Sequence, residues 1–302
     1  MTTLTEFSKV NDQFNQSIMK ILVTGSDGQL GSEIKDIAVC CHGFDFLFTD
    51  KDQLDVTDYQ QVLDTLQKNK IDCIVNCAGY TAVDKAEEER AAARLLNTTA
   101  VGHLARAAAS LGALLIHVST DYVFNGKGYR PYTEDDIPVP ASMYGKTKLE
   151  GEDEIIRHAG RAAIIRTSWL YSAHGANFVK TILNKAMAGD ELKVVFDQVG
   201  SPTYAADLAQ TILDIIPELS AKKKVDIYHY SNEGVASWFD FAKAIVEIKG
   251  IDCKITPILT KEIQSKAPRP HYSLLDKSRI KKDFGLQIPH WRESLGRCLQ
   301  RL

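Results

Sequence analysis

The chain has 302 residues, about twice an average domain, and its 44% hydrophobic and 25% charged content is globular, which excludes collagen, coiled coil and extended disorder. Its 36 Lys and Arg against 39 Asp and Glu leave a net charge of −3, so no overall field favours nucleic acid or an anionic membrane, while a local basic pocket for a small phosphorylated ligand stays compatible. The longest apolar stretches, such as 107–118, are too short for the roughly 20 residues of a membrane span, and residues 1–17 lack the apolar core of a secretory signal, which predicts a cytoplasmic protein acting on a small molecule. Residues 20–24 form a short β-branched run, a glycine turn spans 25–31, and Leu30, Ile34 and Ile37 then take helical spacing. A second strand over 44–49 ends at Asp50, and Thr57 is expected to cap a helix carrying Val62, Leu63 and Leu66. A third strand follows over 71–77, an alanine-rich helix runs over 86–111 until Gly112 breaks it, and strands follow at 114–119 and 162–166.

Beyond Trp169 the pattern is less regular and prolines stand at 202, 257, 268, 270 and 289. Helices are predicted over 204–216, 238–248 and from 291 to the end, with strands near Val194 and Tyr228. The alternation of strand and helix predicts an α/β, Rossmann-type doubly wound parallel sheet. The expected organisation is a loosely packed arm over 1–18, a dinucleotide-binding domain over 19–167, and a smaller α+β substrate-binding lobe. That lobe takes most of 168–302 and is discontinuous, some of its segments returning to the sheet. The six cysteines form no CxxC and lack zinc-finger spacing, so buried free thiols are expected.

Gly25, Gly28 and Gly31 have the G-x-x-G-x-x-G spacing that lets backbone approach a pyrophosphate at a helix N-terminus, although a tight structural turn would use the same glycines. Asp50, 25 positions after Gly25, stands where an acidic residue takes a ribose hydroxyl and favours NAD, whereas Lys51 could neutralise the extra phosphate of NADP. NADPH or NADH is therefore the expected cofactor. Tyr144 and Lys148, four apart, share one helix face, where an ammonium can favour the phenolate and hold the nicotinamide ribose. A hydroxyl from Ser119 or Thr120, with Thr120 preferred, would polarise a substrate carbonyl.

These motifs, with the TAVDKAE segment over 81–87, STDYVF over 119–124, RTSW over 166–169 and DQVGSPT over 197–203, resemble the extended, nucleotide-sugar-modifying branch of the short-chain dehydrogenase/reductase superfamily. Within it the resemblance is to the dTDP-4-dehydrorhamnose reductase family and covers about residues 20–300. It implies reduction of the C4 keto group of a dTDP-linked ketosugar, with Tyr144 as proton donor assisted by Lys148 and Thr120. It also implies Gln29 and Leu30 beside the pyrophosphate, Asp55 and Val56 at the adenine, and Ala78, Gly79 and Tyr80 along the cofactor's middle. Trp169 resembles a sugar-binding tryptophan, Asp121 and Asn177 resemble substrate contacts, and the planar fork of Arg269 suits a diphosphate. Some relatives bind magnesium at a subunit interface; Glu33 resembles one ligand, but Ala206 stands where a second carboxylate is expected, so no metal is expected. Glu87, Glu88 and Glu89 read as a solvated face. The resemblance is compatible with a homodimer. Two other readings are a reductase of another nucleotide-linked ketosugar and a non-catalytic regulatory subunit of the methionine adenosyltransferase type; intact Thr120, Tyr144 and Lys148 favour an enzyme.

Overall fold

The structure, a computed structural model, describes residues 18–302. The arm expected over 1–18 therefore lies, but for Ile18, outside the described residues. In chain order the principal elements are β1 (Met19–Thr24), α1 (Gln29–Ala38), β2 (Phe44–Thr49), α2 (Tyr59–Asn69), β3 (Cys73–Asn76), α3 (Ala100–Leu111), β4 (Leu114–Thr120), α4 (Met143–His158) and β5 (Ala162–Thr167). There follow α5 (Phe178–Met187), β6 (Leu192–Val195), α6 (Ala205–Ala221), β7 (Val225–His229), α7 (Trp238–Lys249), β8 (Ile255–Ile258) and α8 (Trp291–Gln300).

Six strands form one parallel sheet in the order β7-β5-β4-β3-β1-β2. The continuous apolar runs are explained by burial on both faces. In β1, Ile21 and Val23 pack with Leu30 and Ile34 of α1 and Leu208 and Ile212 of α6, while Leu22 points the other way into Val62, Leu66 and Leu104. The chain runs outward from β1 to β2 and then returns to place β3 on the far side of β1. The strand order reverses between β1 and β3, and the crevice at their carboxyl ends is where ligands bind in such sheets.

A second core gathers Val179 and Ile182 of α5, Phe241 and Ile245 of α7 and Leu295 of α8, beside the small parallel pair of β6 and β8. Two segments of the later chain return to the large sheet: β7 adds its edge strand beside β5, and α6 packs in the same core as α1.

Three local expectations need correction. Asp58, not Thr57, caps α2, because its carboxylate accepts from both Gln60 N and Gln61 N, while the Thr57 hydroxyl is spent on Asp55 at 2.6 Å. The helix read over 86–111 is broken into Val83–Ala86, Arg90–Arg94, a wider π turn over Leu95–Thr99, and α3. The π turn places Asn97 so that its amide accepts from Tyr80 N at 2.8 Å and donates to Thr147 Oγ1 at 3.2 Å. The cysteines are free, and Cys73 and Cys298 are buried, but Cys40 is exposed in the turn after α1.

Candidate active site

The glycine turn joins β1 to α1 beside the crevice. Gly25 adopts φ +62°, and a Cβ there would lie 2.6 Å from Ala78 N; a Cβ on Gly31 would lie 2.5 Å from Ser26 Cα. Both glycines are therefore required by the packing of the turn itself. Gly28 differs: it is the N-cap of α1, where no side chain caps the helix, and an added Cβ would meet only Gly25 O at 3.3 Å. The open N–H groups of this first turn fit a pyrophosphate. Asp50 lies at the end of β2 as expected, with Oδ2 accepting from Asp27 N at 3.1 Å and Oδ1 from Lys51 N at 2.8 Å. Its carboxylate thus also ties down the glycine turn. Lys51 and Asp55 are exposed, Val56 is buried in the core, and Ala78, Gly79 and Tyr80 are half-buried just past β3.

Thr120 closes β4, and its hydroxyl accepts from Tyr122 N at 3.2 Å and donates to Asp121 Oδ1 at 3.0 Å. Ser142 caps α4 through Gly145 N, and Glu87 Oε1 accepts from Met143 N at 2.8 Å, so the turn that carries Tyr144 is fastened from two sides. Glu88 and Glu89 are exposed, as a solvated face requires, with Glu88 pairing with an equally exposed Lys266 and Glu89 accepting from the Tyr80 hydroxyl. The Tyr144 ring meets Tyr122 edge-on at 5.5 Å. Burial drives the Tyr144 phenol pKa up, opposed by hydrogen bonding from Thr120 and reinforced by Asp121 and Tyr122, so it stays protonated at neutral pH.

Lys148 is buried, and its Nζ donates to Val118 O at 2.6 Å and lies 3.1 Å from His117 Nε2. Burial lowers its pKa to about 8, partly offset by Glu152. The Lys148 ammonium is not among the groups acting on the Tyr144 phenol in this structure; its amine is drawn toward the strand.

Asp121 is 4% exposed, and its Oδ2 has no partner. Burial pushes its carboxyl up to about 7 against the pull of Thr120 and neighbouring backbone. A carboxyl raised on folding keeps its proton where the unfolded chain has lost it, so stability from this group is full below about pH 4 and falls as pH rises to about 7. Asp121→Asn is therefore expected to raise Tm at pH 8 by the equivalent of roughly 2–4 kcal/mol and to change it little at pH 4. Calorimetry at the two pH values checks this, and equal shifts at both would remove the burial cost as the cause.

A cleft of about 730 Å³ lies at the second core, lined by Asp84, Phe178, Leu192, Trp238 and Arg269 among others. Trp169 does not stand alone as a platform: its ring stacks on Trp238 at 3.6 Å and 8°, with its backbone in the left-handed region at φ +49°, a conformation that costs about 1–3 kcal/mol outside glycine. Trp238 is a wall of the cleft that sequence reasoning misses, because at the start of an amphipathic helix it reads as core. Arg269 lines the cleft with one edge on Asp84 at 2.6 Å. Asn177 caps α5 through Lys180 N and donates to Gln29 Oε1 at 3.0 Å, which joins it to the glycine turn. Leu30 is buried under that turn.

Glu33 gathers with Asp36 and His174, their ligand atoms all within 4.8 Å. Arg301 already occupies this cluster, with Nη1 2.6 Å from Glu33 and Nη2 2.6 Å from Asp36. A divalent cation there would have to displace a guanidinium that neutralises both carboxylates, so these residues do not fit a metal. Ala206 packs against the second core instead of offering a ligand.

The sequence matches the family model described as the RmlD substrate binding domain over residues 19–302. It is 40% identical over 282 residues to the spore coat polysaccharide biosynthesis protein SpsK of Bacillus subtilis, covering 93% of this chain and 97% of that one. It is 37% identical over 285 residues to a dTDP-4-dehydrorhamnose reductase of Aggregatibacter actinomycetemcomitans, with coverages of 91% and 97%. Among solved structures, that of a dTDP-4-dehydrorhamnose reductase from Bacillus anthracis in complex with NADP superposes with a TM-score of 0.89 at 36% identity, covering 95% of this chain and all of that one. The Clostridium acetobutylicum dTDP-4-dehydrorhamnose reductase gives 0.88 at 42%, with coverages of 93% and 99%. Sheet, glycine turn and these matches define an NAD(P)H-dependent oxidoreductase with a Rossmann-type fold. The chain belongs to the dTDP-4-dehydrorhamnose reductase family. No helix among the described residues is long and apolar enough to cross a membrane.

Proposed function

We propose that this protein reduces the C4 keto group of dTDP-4-dehydro-β-L-rhamnose to give dTDP-L-rhamnose, with NADPH or NADH as reductant and Tyr144 as proton donor. The observation that carries the reading is the gathering of Thr120, Tyr144 and Lys148 at the carboxyl end of β4, beside the open glycine turn. When bound, the reduced nicotinamide supplies the hydride. The Thr120 hydroxyl, freed from Asp121, donates to the ketone oxygen as negative charge grows there. The Tyr144 phenol, kept protonated by burial, then transfers its proton to that oxygen. Lys148 orients the nicotinamide ribose and, once charged, stabilises the Tyr144 phenolate left behind.

On this reading Gly25, Gly28, Gln29, Leu30 and Gly31 form the pyrophosphate turn, Asp50 and Lys51 meet the adenosine ribose, and Asp55 and Val56 border the adenine. Ala78, Gly79 and Tyr80 follow the cofactor toward Tyr144 and Lys148. The cleft beyond holds the sugar nucleotide, with Asp121 at the sugar, Asn177 between the two ligands, and Arg269 releasing Asp84 to meet the diphosphate. Residues 19–167 are then the cofactor domain and most of 168–302 the substrate lobe.

Trp169→Ala is expected to raise the sugar-nucleotide KM by about three- to tenfold, the worth of one aromatic stack, with little change in cofactor Kd. Loss of cofactor binding alone would move Trp169 out of the sugar site. The activity itself is tested by supplying freshly generated dTDP-4-dehydrorhamnose with NADPH and NADH separately, following reduced-nicotinamide absorbance and identifying the product by chromatography. Formation of dTDP-L-rhamnose is expected. Cofactor binding without oxidation of the reduced nicotinamide would overturn the reading in favour of another ketosugar or a regulatory role.

A further inference from the structure

The wall of the cleft carries one amide whose orientation is fixed from behind. Gln198 follows β6, Thr260 follows β8, its parallel neighbour, and both line the cleft, Gln198 only 7% exposed. The backbone on either side of Gln198 is clamped by His271, whose Nδ1 lies 3.1 Å from Asp197 O and whose carbonyl accepts from Val199 N at 2.8 Å. The roles of the Gln198 side-chain atoms follow from Thr260. The Asp197 carboxylate accepts from Thr260 N at 2.9 Å and from Thr260 Oγ1 at 2.7 Å. The single hydroxyl proton is spent there, so toward Gln198 the Thr260 oxygen can only accept, and the amide atom facing it at 3.1 Å is the NH2 nitrogen. Turned over, the amide would set Oε1 against an oxygen with no proton to give. One amide N–H and Oε1 are left over, and neither has a hydrogen-bond partner among the described residues.

An adjacent donor and acceptor on one amide match the imide edge of a pyrimidine, where N3–H donates and the O4 carbonyl beside it accepts. The surroundings suit such a ring. Ile182, Leu192 and Val194, each less than a tenth exposed, and the rings of Phe178 and Trp238 are apolar walls of the same cleft. Arg269, also on its wall, neighbours Tyr122, whose ring meets that of Tyr144, so a sugar at Tyr144 and a diphosphate at Arg269 leave the base to the rest of the cleft. We propose that Gln198 is a specificity-determining residue that reads the base of the sugar nucleotide: its Oε1 accepts from the imide N3–H of thymine or uracil, and its free N–H donates to O4. Thr260, held by Asp197, makes that recognition one-sided. Cytosine seated in the same place reverses both contacts, its N3 lone pair facing Oε1 and its exocyclic amine facing Nε2. A free amide would flip to suit cytosine, whereas this one can flip only by giving up Thr260. The proposal rests on the reductase reading for what enters the cleft, and adds how its base is chosen.

The test is calorimetric titration of the protein, its cofactor site filled with NADPH or NADH, against dTDP, dUDP and dCDP. The wild type is expected to bind dCDP about thirtyfold more weakly than dTDP, the worth of two hydrogen bonds, and dUDP only about fourfold more weakly, the worth of one methyl group. In Gln198→Leu the preference for dTDP over dCDP should shrink to about threefold or less. Thr260→Val keeps Gln198 and frees its amide to turn, so dCDP should bind about tenfold tighter than to the wild type while dTDP changes less than about threefold. Loss of stability cannot produce that gain. Equal wild-type affinities for dTDP and dCDP, no measurable dTDP binding, or dUDP bound as weakly as dCDP overturns the proposal with the wild type alone, whatever the variants' stability. An unchanged preference in folded Gln198→Leu, or an unimproved dCDP affinity in folded Thr260→Val, does so as well. None of these readouts needs turnover, so a chain that chooses dTDP through Gln198 but fails the reductase assay loses the proposed reaction and keeps the base contact.

Discussion

Tyr144→Phe is expected to lower kcat by about 10²- to 10⁴-fold, the usual worth of a positioned proton donor, while cofactor Kd changes less than about twofold. The substitution removes one oxygen and keeps the ring, so the edge-on contact with Tyr122 at 5.5 Å and the packing of the first turn of α4 survive. What goes is a phenol that burial keeps protonated. That direction suits reduction, in which the residue must give a proton to a developing alkoxide, and it opposes use of the same group as a resting base. Product formation under saturating substrate and fluorescence titration of cofactor binding measure the two quantities separately. Turnover near the wild-type rate would remove Tyr144 from the chemistry; a parallel loss of cofactor affinity would recast it as a binding residue.

The sheet and the crevice were legible because their signals are local. An apolar run, a glycine turn and an amphipathic helix repeat through the first half of the chain, and parallel strands buried on both faces leave few other arrangements for them. Tyr144 and Lys148 were legible as a pair because four residues is one helical turn. The sequence could not show that Lys148 reaches back to β4, since its partners His117 and Val118 lie 31 and 30 positions away inside a strand that reads as core. The same blindness hides Trp238 beneath Trp169 and Arg301 between Glu33 and Asp36, contacts that join segments separated by 69 residues or more. Thr57 was mistaken for a cap for a different reason. Two adjacent residues could both serve, and only the competing bond to Asp55 decides between them. Asp50 is a third kind of case: its position at the end of β2 was readable, but its service to Asp27 N is a tertiary contact that spacing cannot show.

Glu152→Gln is expected to cost about 3–5 kcal/mol of folding stability, more than any surface charge change in this chain. Glu152 and Arg166 are 1% and 2% exposed and meet at 2.6 Å, with Ser119 Oγ donating to Glu152 Oε1 at 2.5 Å and the guanidinium lying 5.2 Å from the Phe124 ring. Arg166 Nη1 has no partner already, so neutralising Glu152 strands a buried cation rather than returning it to water. By contrast Lys254 and Glu191, about 70% exposed, form a pair whose removal should change stability by less than about 1 kcal/mol. Urea denaturation of Glu152→Gln and Glu191→Gln side by side checks the difference. The double variant Glu152→Gln/Arg166→Met should recover part of the loss, because removing the stranded charge removes the main penalty. The pair also bears on the site: Glu152 stands one turn beyond Lys148 on α4, and Ser119 immediately precedes Thr120 on β4. Folded Glu152→Gln should therefore lose turnover beyond its loss of stability, and unchanged kcat with the full stability loss would confine the pair to a scaffolding role.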